Sequence, residues 1–487
     1  MNGLLLLPIA GPLLVAGGLL ALPGRPPIHR TAALVTTAAV LVGAGALLVA
    51  TADGAVLVLR IGGWPASVAI GLAADAFSAL LVTVATLVVF CCLVSAAGSG
   101  DDRRPYFLPL VLVLSAGANG AFLTTDLFNL FVLIEVMLVP SYVLLSLNGG
   151  AGRGGAGRVY VATNLLGSTL LLAGVALVYG TTGTVGLGEL AGTAHNDPAV
   201  AVAGGLVLLA LAVKSALVPV HDWLPRTYSV ASPVLVALFS GLLTKVGLYA
   251  VIRIYAMLYG GDPAYHWLLG AVALLSMVVG VLGALGENSM RRILTFHMVS
   301  QIGYLLLGLA LFTAASLAAT VYYLAQYVLV KAALFLCAAA VRADRGSDRL
   351  DGVGGLATRR PALALAFAAA ALSLAGLPPF SGFLAKFLLL RAAAAAGAWL
   401  AMAVAVLVSL LTLLSMVKIW SALFTSGGPP PEAAAGRMRR SLVAPPLALA
   451  GLSLAAGLAA QPLLMLADTA AAGLRDPASY VRAVIAP

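Results

Sequence analysis

Apolar residues run along this chain in blocks of about 20, the length that carries a helix across a bilayer. The pattern predicts fourteen such segments, at 3–22, 31–51, 74–97, 106–124, 126–147, 159–180, 199–221, 231–256, 265–285, 292–312, 314–341, 361–391, 395–424 and 443–467. One stretch resists this reading. In AVLVLRIGGWPASVAIGL (55–72) the apolar residues alternate around Gly62 and Gly63, which predicts an outer hairpin and not a span. NGGAGRGGAGR (148–158) and TSGGPPPEAAAGRMRR (425–440) read as flexible connectors.

Two segments carry prolines where a helix should continue. Pro219 in segment 7 frees the carbonyl of Ser215; Pro378 and Pro379 in segment 12 free those of Leu374 and Ala375. Broken backbone at membrane depth is tolerated only where it is buried in protein or lines a wet cavity. Paired breaks point to inverted repeats with a site near the midplane. The expected organisation is therefore helices 1–3 (1–105), a first five-helix repeat (106–258), a second (259–424), and a linker with helix 14 (425–487).

Composition fixes the compartment. With 62% apolar and 9% charged residues over 487 positions, the chain cannot bury its surface as a soluble globule. It is an all-α polytopic membrane protein. The formal charge of +10 comes from arginines in short loops, where they set topology and face lipid, so nucleic acid is excluded as a partner. Apart from Arg60, Arg253, Arg391, Arg475 and Arg482, every arginine follows an odd-numbered segment. By the positive-inside rule those loops are cytoplasmic and both termini lie outside. Segment 1 lacks a basic n-region and reads as a retained helix. Trp223, Trp267, Trp399 and Trp420 stand near span ends as interfacial anchors. Cys91, Cys92 and Cys337 show no ligand spacing, so no metal or redox cofactor is expected.

The chemistry lies in the charges that remain. The chain has five lysines, Lys214, Lys245, Lys331, Lys386 and Lys418, and all fall inside apolar segments. Each costs roughly 2.5 to 3.5 kcal/mol at a span centre even on lenient scales, so intramembrane lysines mark an ion or proton path. Unlike arginine, a lysine can be tuned to release its proton. Glu135 is the mid-span carboxylate; Asp75 and Asp126 sit at helix starts, where the dipole favours them. A Glu135–Lys214 pair that opens and closes would change the lysine's hold on its proton; a static pair pinning two helices answers the same charges. Lys245 and Lys331 continue a row near mid-depth, bridged by water, Ser300, Gln301, Tyr304, Tyr323 and Tyr327, although such side chains also serve as interhelical glue. Lys386 lies past the second break, toward the outer end. Lys418 beside Trp420 reads as snorkelling. His221, next to the first break, titrates near neutrality and suits cytoplasmic proton entry, or is a plain interfacial histidine; His297 is equally open.

Four stretches resemble one known family. They are DLFNLFVLIEVMLVPSYVLL with Glu135, AVKSALVPVHDWLPRTYSVASPVLVALFSGLLTKVGLYAVIRI with Lys214 and Lys245, RRILTFHMVSQIGYLLLGLAL, and ALSLAGLPPFSGFLAKF with Lys386. They are similar to the antiporter-like membrane subunits shared by Mrp-type sodium/proton antiporters, respiratory NADH dehydrogenase and membrane-bound hydrogenases, and most of all to the D-type subunits of the first group. The resemblance implies fourteen helices in two inverted five-helix bundles with helices 7 and 12 broken. It implies that Glu135 and Lys214 form the regulating pair, that Lys245 relays and that Lys386 communicates with the outside. It implies partners as well: other membrane subunits of a complex in a bacterial cell membrane. One departure stands out. Where the family has histidines before the segment 11 lysine, this chain has Gln326 and Tyr327, which leaves the relay there to Lys331 or bound water.

The expected function is proton translocation in a multisubunit antiporter that exchanges cytoplasmic Na+ for external protons. The alternative is the same machinery in a redox-driven respiratory or hydrogenase pump. A polytopic membrane enzyme would need acidic or histidine clusters at a membrane surface. The adjacent pair Asp101 and Asp102, followed by Arg103 and Arg104, reads as an ordinary loop.

Overall fold

The computed structural model describes residues 2–22, 26–64, 69–147, 153–351, 354–425 and 438–486. Each predicted segment is found as a helix or a broken helix. The chain opens with α1 (Leu7–Ala21) and α2 (Pro26–Thr51). The antiparallel pair β1 (Leu57–Arg60) and β2 (Gly71–Ala74) follows, registered Leu57 to Ala74 and Arg60 to Gly71, which is the expected hairpin. Then come α3 (Ala76–Ser99), α4 (Phe107–Leu123), α5 (Leu127–Ser146), α6 (Arg153–Thr182), a single turn α7 (Thr193–Asn196) and α8 (Pro198–Ser215). Residues 153–158, expected as connector, instead start α6; the rest of that connector and most of the second lie outside the described residues.

The next part holds α9 (Trp223–Tyr228), α10 (Pro233–Tyr259), α11 (His266–Gly286), α12 (Met290–Leu311), α13 (Ala314–Arg345) and the turn α14 (Leu356–Arg359). Every residue of α10 is buried. The 32-residue α13 packs against α3, α10, α12, α15, α16, α18 and α19, where the last four are Pro361–Ala375, Ser381–Ala395, Arg440–Leu458 and Gln461–Arg475. These two helices form the centre; α2, α11, α17 (Trp399–Trp420) and α18 are largely open to the outside of the bundle. A short α20 (Ala478–Ile485) closes the chain.

Several local expectations change. Segment 7 ends at Ser215, because Ala216 turns into the left-handed region (φ 56°) and Pro219 cannot donate to a continuing helix. Segment 12 divides into α15 and α16, with Gly376 (φ 88°) as the left-handed cap. Segment 14 stops at Leu458; Pro462 would remove that residue's helical partner, and the chain restarts as the amphipathic α19. The buried residues of α19, Ala467, Ala470, Ala471 and Leu474, recur at helical spacing and lie on α13 and α3. Trp223 is no interfacial anchor: it is buried beside Tyr160 and Tyr228 and donates Nε1–H to the Val213 carbonyl at 2.9 Å. Nor is Asp101–Asp102 an ordinary solvated loop. Both are buried, Asp102 paired with Arg30 and Asp101 with Arg104 at 2.9 Å.

Candidate functional site

Lys214, Lys245, Lys331 and Lys386 are at most 4% exposed, so each ammonium depends on oxygens or ring faces supplied by the fold. Those partners come from different helices, and they define the site.

Lys214, in the last turn of α8, donates to the Asn164 carbonyl at 2.8 Å and to Ser168 Oγ at 2.5 Å. Ser168 in turn donates to Glu135 Oε1, whose nearest approach to the lysine is 3.9 Å. The expected pair is thus present as a three-part chain, with a hydroxyl between the charges. Asn164 and Ser168 lie four residues apart on α6 and share one face. That polar spacing, NLLGS inside an apolar run, was the available signal for them. Glu135 keeps 27% of its side chain open while Lys214 keeps 4%. The pair therefore sits at the edge of the buried zone.

A small void with room for about one water molecule touches Lys214, Trp223, Leu243 and Val246. Its far wall is the turn of α10 that bears Lys245. The Lys245 ammonium bonds Thr244 Oγ1 at 3.1 Å and stands 4.4 Å from the centroid of the Tyr327 ring. Tyr327 thus gives this lysine a π face. Lys331, one turn further along α13, donates to the Leu294 carbonyl at 2.7 Å and lies within Coulombic range of Lys245.

His297 is fully buried on α12, bonds Ser415 Oγ at 2.5 Å through Nε2, and lies within Coulombic range of both Lys331 and Lys386. Lys386 in α16 donates to Ser409 Oγ at 3.0 Å and to the Ala375 carbonyl at 3.1 Å, 5.0 Å from the Tyr304 ring centroid. Ala375 is one of the two residues whose carbonyl the prolines were expected to free. The break supplies the acceptor that the ammonium needs.

Polar atoms without protein partners gather along this row. His297 Nδ1, Gln301 Nε2, Gln326 Oε1 and Tyr327 Oη are buried and unpaired, and Tyr323 donates to Gln301 Oε1. Buried polar groups of this kind are met by internal water. His221 is half-buried with Nδ1 unpartnered, and no hydrogen bond joins it to the lysines among the described residues. Ser300 bonds the Met277 carbonyl at 3.0 Å and acts as interhelical glue. Half-buried Lys418 reaches the end of α11 and caps it, donating to the Leu285 and Glu287 carbonyls at 3.0 and 2.8 Å.

Two charged contacts lie apart from the row. Arg253 is 2% exposed near the end of α10 and pairs at 2.7 Å with Asp75, which also caps α3. The Tyr480 ring of α20 covers it, 5.1 Å from the guanidinium carbon. Arg291 holds Asp348 at 2.8 Å beyond the end of α13. Among the described residues no group of three or more His, Cys, Asp or Glu is placed to hold a metal ion.

Residues 124–412 match the family model described as NADH:quinone oxidoreductase/Mrp antiporter, transmembrane. The chain is 38% identical to the D-type subunit of the Na(+)/H(+) antiporter of Alkalihalophilus pseudofirmus, over the whole of both chains. A chain in the structure of the Mrp complex from Dietzia sp. superposes with a TM-score of 0.96 at 44% identity, covering 99% of each. A chain of an archaeal respiratory membrane complex, the membrane-bound sulfane sulfur reductase, gives 0.91 at 27% identity over 99% of this chain and 100% of that one.

Proposed function

The chain belongs to the NADH:quinone oxidoreductase/Mrp antiporter transmembrane family, and on that premise we propose that it is the proton-carrying D-type member of a multisubunit Na+/H+ antiporter in a bacterial cell membrane. It is a polytopic secondary-transporter subunit and not an enzyme, and it works with other membrane subunits. The observation that carries the mechanism is the burial of four ammonium groups whose oxygen ligands are almost all neutral, with a single carboxylate at one end. Fixed structural charges would be expected in closed pairs.

The proton path runs Glu135, Ser168, Lys214, Lys245, Lys331, His297 and Lys386. Ser168 lets the first charges exchange a proton through a hydroxyl, and the void beside Lys214 seats a water against the turn of α10 next to Lys245. His297, reaching in from α12, takes the place left by Gln326 and Tyr327. Lys386 delivers to the outer side, and His221 admits protons from the cytoplasm. The two five-helix repeats, 106–258 and 259–424, are related by inversion about the breaks at Pro219 and Pro379, with both termini outside. Matching left-handed caps at Ala216 and Gly376 support that relation.

The test is sodium-dependent collapse of a pH gradient in inverted vesicles that hold the whole complex. Lys214→Ala, Glu135→Ala and Lys386→Ala are each expected to abolish it with the complex still assembled. Full activity of the Lys214→Ala complex removes that residue from the path. A second reading, the same subunit in a redox-driven pump, has the support of the likeness to the archaeal respiratory complex, but at 27% identity against 44%. Co-purification from native membrane of small membrane subunits, without iron–sulfur proteins, decides for the antiporter.

A further inference from the structure

Helices α15 and α18 pack side by side, and where they begin they flank a half-open cavity of about 700 Å³. Arg359, Arg360 and Leu363 line it from the α15 side, and Arg439, Arg440 and Val443 from the α18 side. Arg345, at the end of α13, lies within Coulombic range of Arg359. Asp344 answers part of this charge and binds Arg360 at 2.8 Å. The positive ends of two helix dipoles add to the rest.

The hydrogen bonding is also incomplete. Arg359 gives Nε and Nη2 to the Gly355 and Gly354 carbonyls, but its Nη1, like that of Arg345, is buried without a partner. An unmet charged donor in a buried position is costly, and clustered guanidinium groups repel one another. The repulsion among the arginines that line the cavity falls away if an anion with several oxygens enters.

We propose that this cavity holds the phosphate of an anionic phospholipid. Guanidinium forks match phosphate oxygens in pairs. The first turns of two spanning helices put the cavity at headgroup depth, on the side the arginine pattern marks as cytoplasmic, where basic pockets between helices take anionic lipid. The half-exposed Val443 beside the arginines gives an acyl chain a contact that soluble phosphate would not use.

The whole complex, stripped of lipid in detergent, is titrated with phosphatidylglycerol, with phosphatidylcholine of the same chains, and with inorganic phosphate, and bound lipid is counted by native mass spectrometry. Phosphatidylglycerol is expected to be retained about tenfold more tightly than phosphatidylcholine, as about 1.4 kcal/mol of added charge pairing would give. The R439Q/R440Q complex is expected to lose that preference. Both arginines are exposed, so the fold tolerates the change, and R475Q at the end of α19 keeps the preference. Equal retention of the two lipids, an unchanged preference in R439Q/R440Q, or displacement of phosphatidylglycerol by millimolar inorganic phosphate would overturn the assignment.

Discussion

At the scale of single residues, the Ser168 hydroxyl bridges Glu135 and Lys214, whose direct separation of 3.9 Å is too long for a hydrogen bond, and on the proposed path it carries the exchange between them. A hydrogen bond to a charged group contributes about 1.5 to 3 kcal/mol. Ser168→Ala should therefore slow sodium-dependent proton exchange roughly 10- to 100-fold, and Ser168→Thr, which keeps the hydroxyl, should restore most of it. An alanine variant at full rate would show that the serine is only a packing residue. The lysines were legible from sequence because charge inside an apolar block has few other uses. Ser168 was not, and His297 stayed open between a role and none, because their partners lie 33 and 118 residues away and only the fold brings them together. Outside the spans, burial raises the Asp348 carboxyl, but the bonds and charge of Arg291, with Ser289, outweigh it and hold the carboxyl below the ordinary carboxylate range. Its contribution is complete above the unfolded value of about 3.9 and is lost as pH falls through the lower folded value. Asp348→Asn should lower the thermal midpoint of the complex at pH 7, and the difference from wild type should shrink toward pH 3.

At the scale of elements, the two broken helices were predictable because proline removes specific bonds, and the freed Ala375 carbonyl is taken by Lys386 and Ser409. How each helix ends was less visible. Ala216 adopts φ 56°, a conformation that costs an L-residue about 1 to 2 kcal/mol, whereas Gly376 at φ 88° bears no such cost. Ala216→Gly should thus stabilise the complex by roughly 1 kcal/mol with exchange intact. Gly376→Ala should do harm, because the added Cβ would come within 2.7 Å of Lys386 Cδ and push the ammonium off its carbonyl. Thermal unfolding and vesicle assays read the two effects separately; a fully active Gly376→Ala complex would detach Lys386 from the break. The sequence overextended segment 14 for a related reason. Alanine and leucine continue past Leu458, so composition alone hid the stop that Pro462 imposes.

For the whole molecule, Arg253 and Asp75 tie α10 to α3 near one end of the bundle, and Tyr480 of the last helix closes over them. Removing one partner of a buried pair costs about 3 to 5 kcal/mol, so Arg253→Leu should lower the thermal midpoint strongly, and truncation after Arg475 should lower it less. Equal midpoints for wild type and Arg253→Leu would make the pair incidental. The sequence placed Arg253 only as a topology marker, since nothing in its neighbourhood names Asp75. The enclosure of α13 has a further consequence. A helix packed against seven others is tightly held, so on the proposed path protons pass Lys331 as ions pass through a crystal channel, with water molecules and side-chain rotors changing state inside a stationary frame. Deuterium uptake along α10 and α13 should then be the same in resting and working complexes, and a rise during turnover would mean that the frame itself swings.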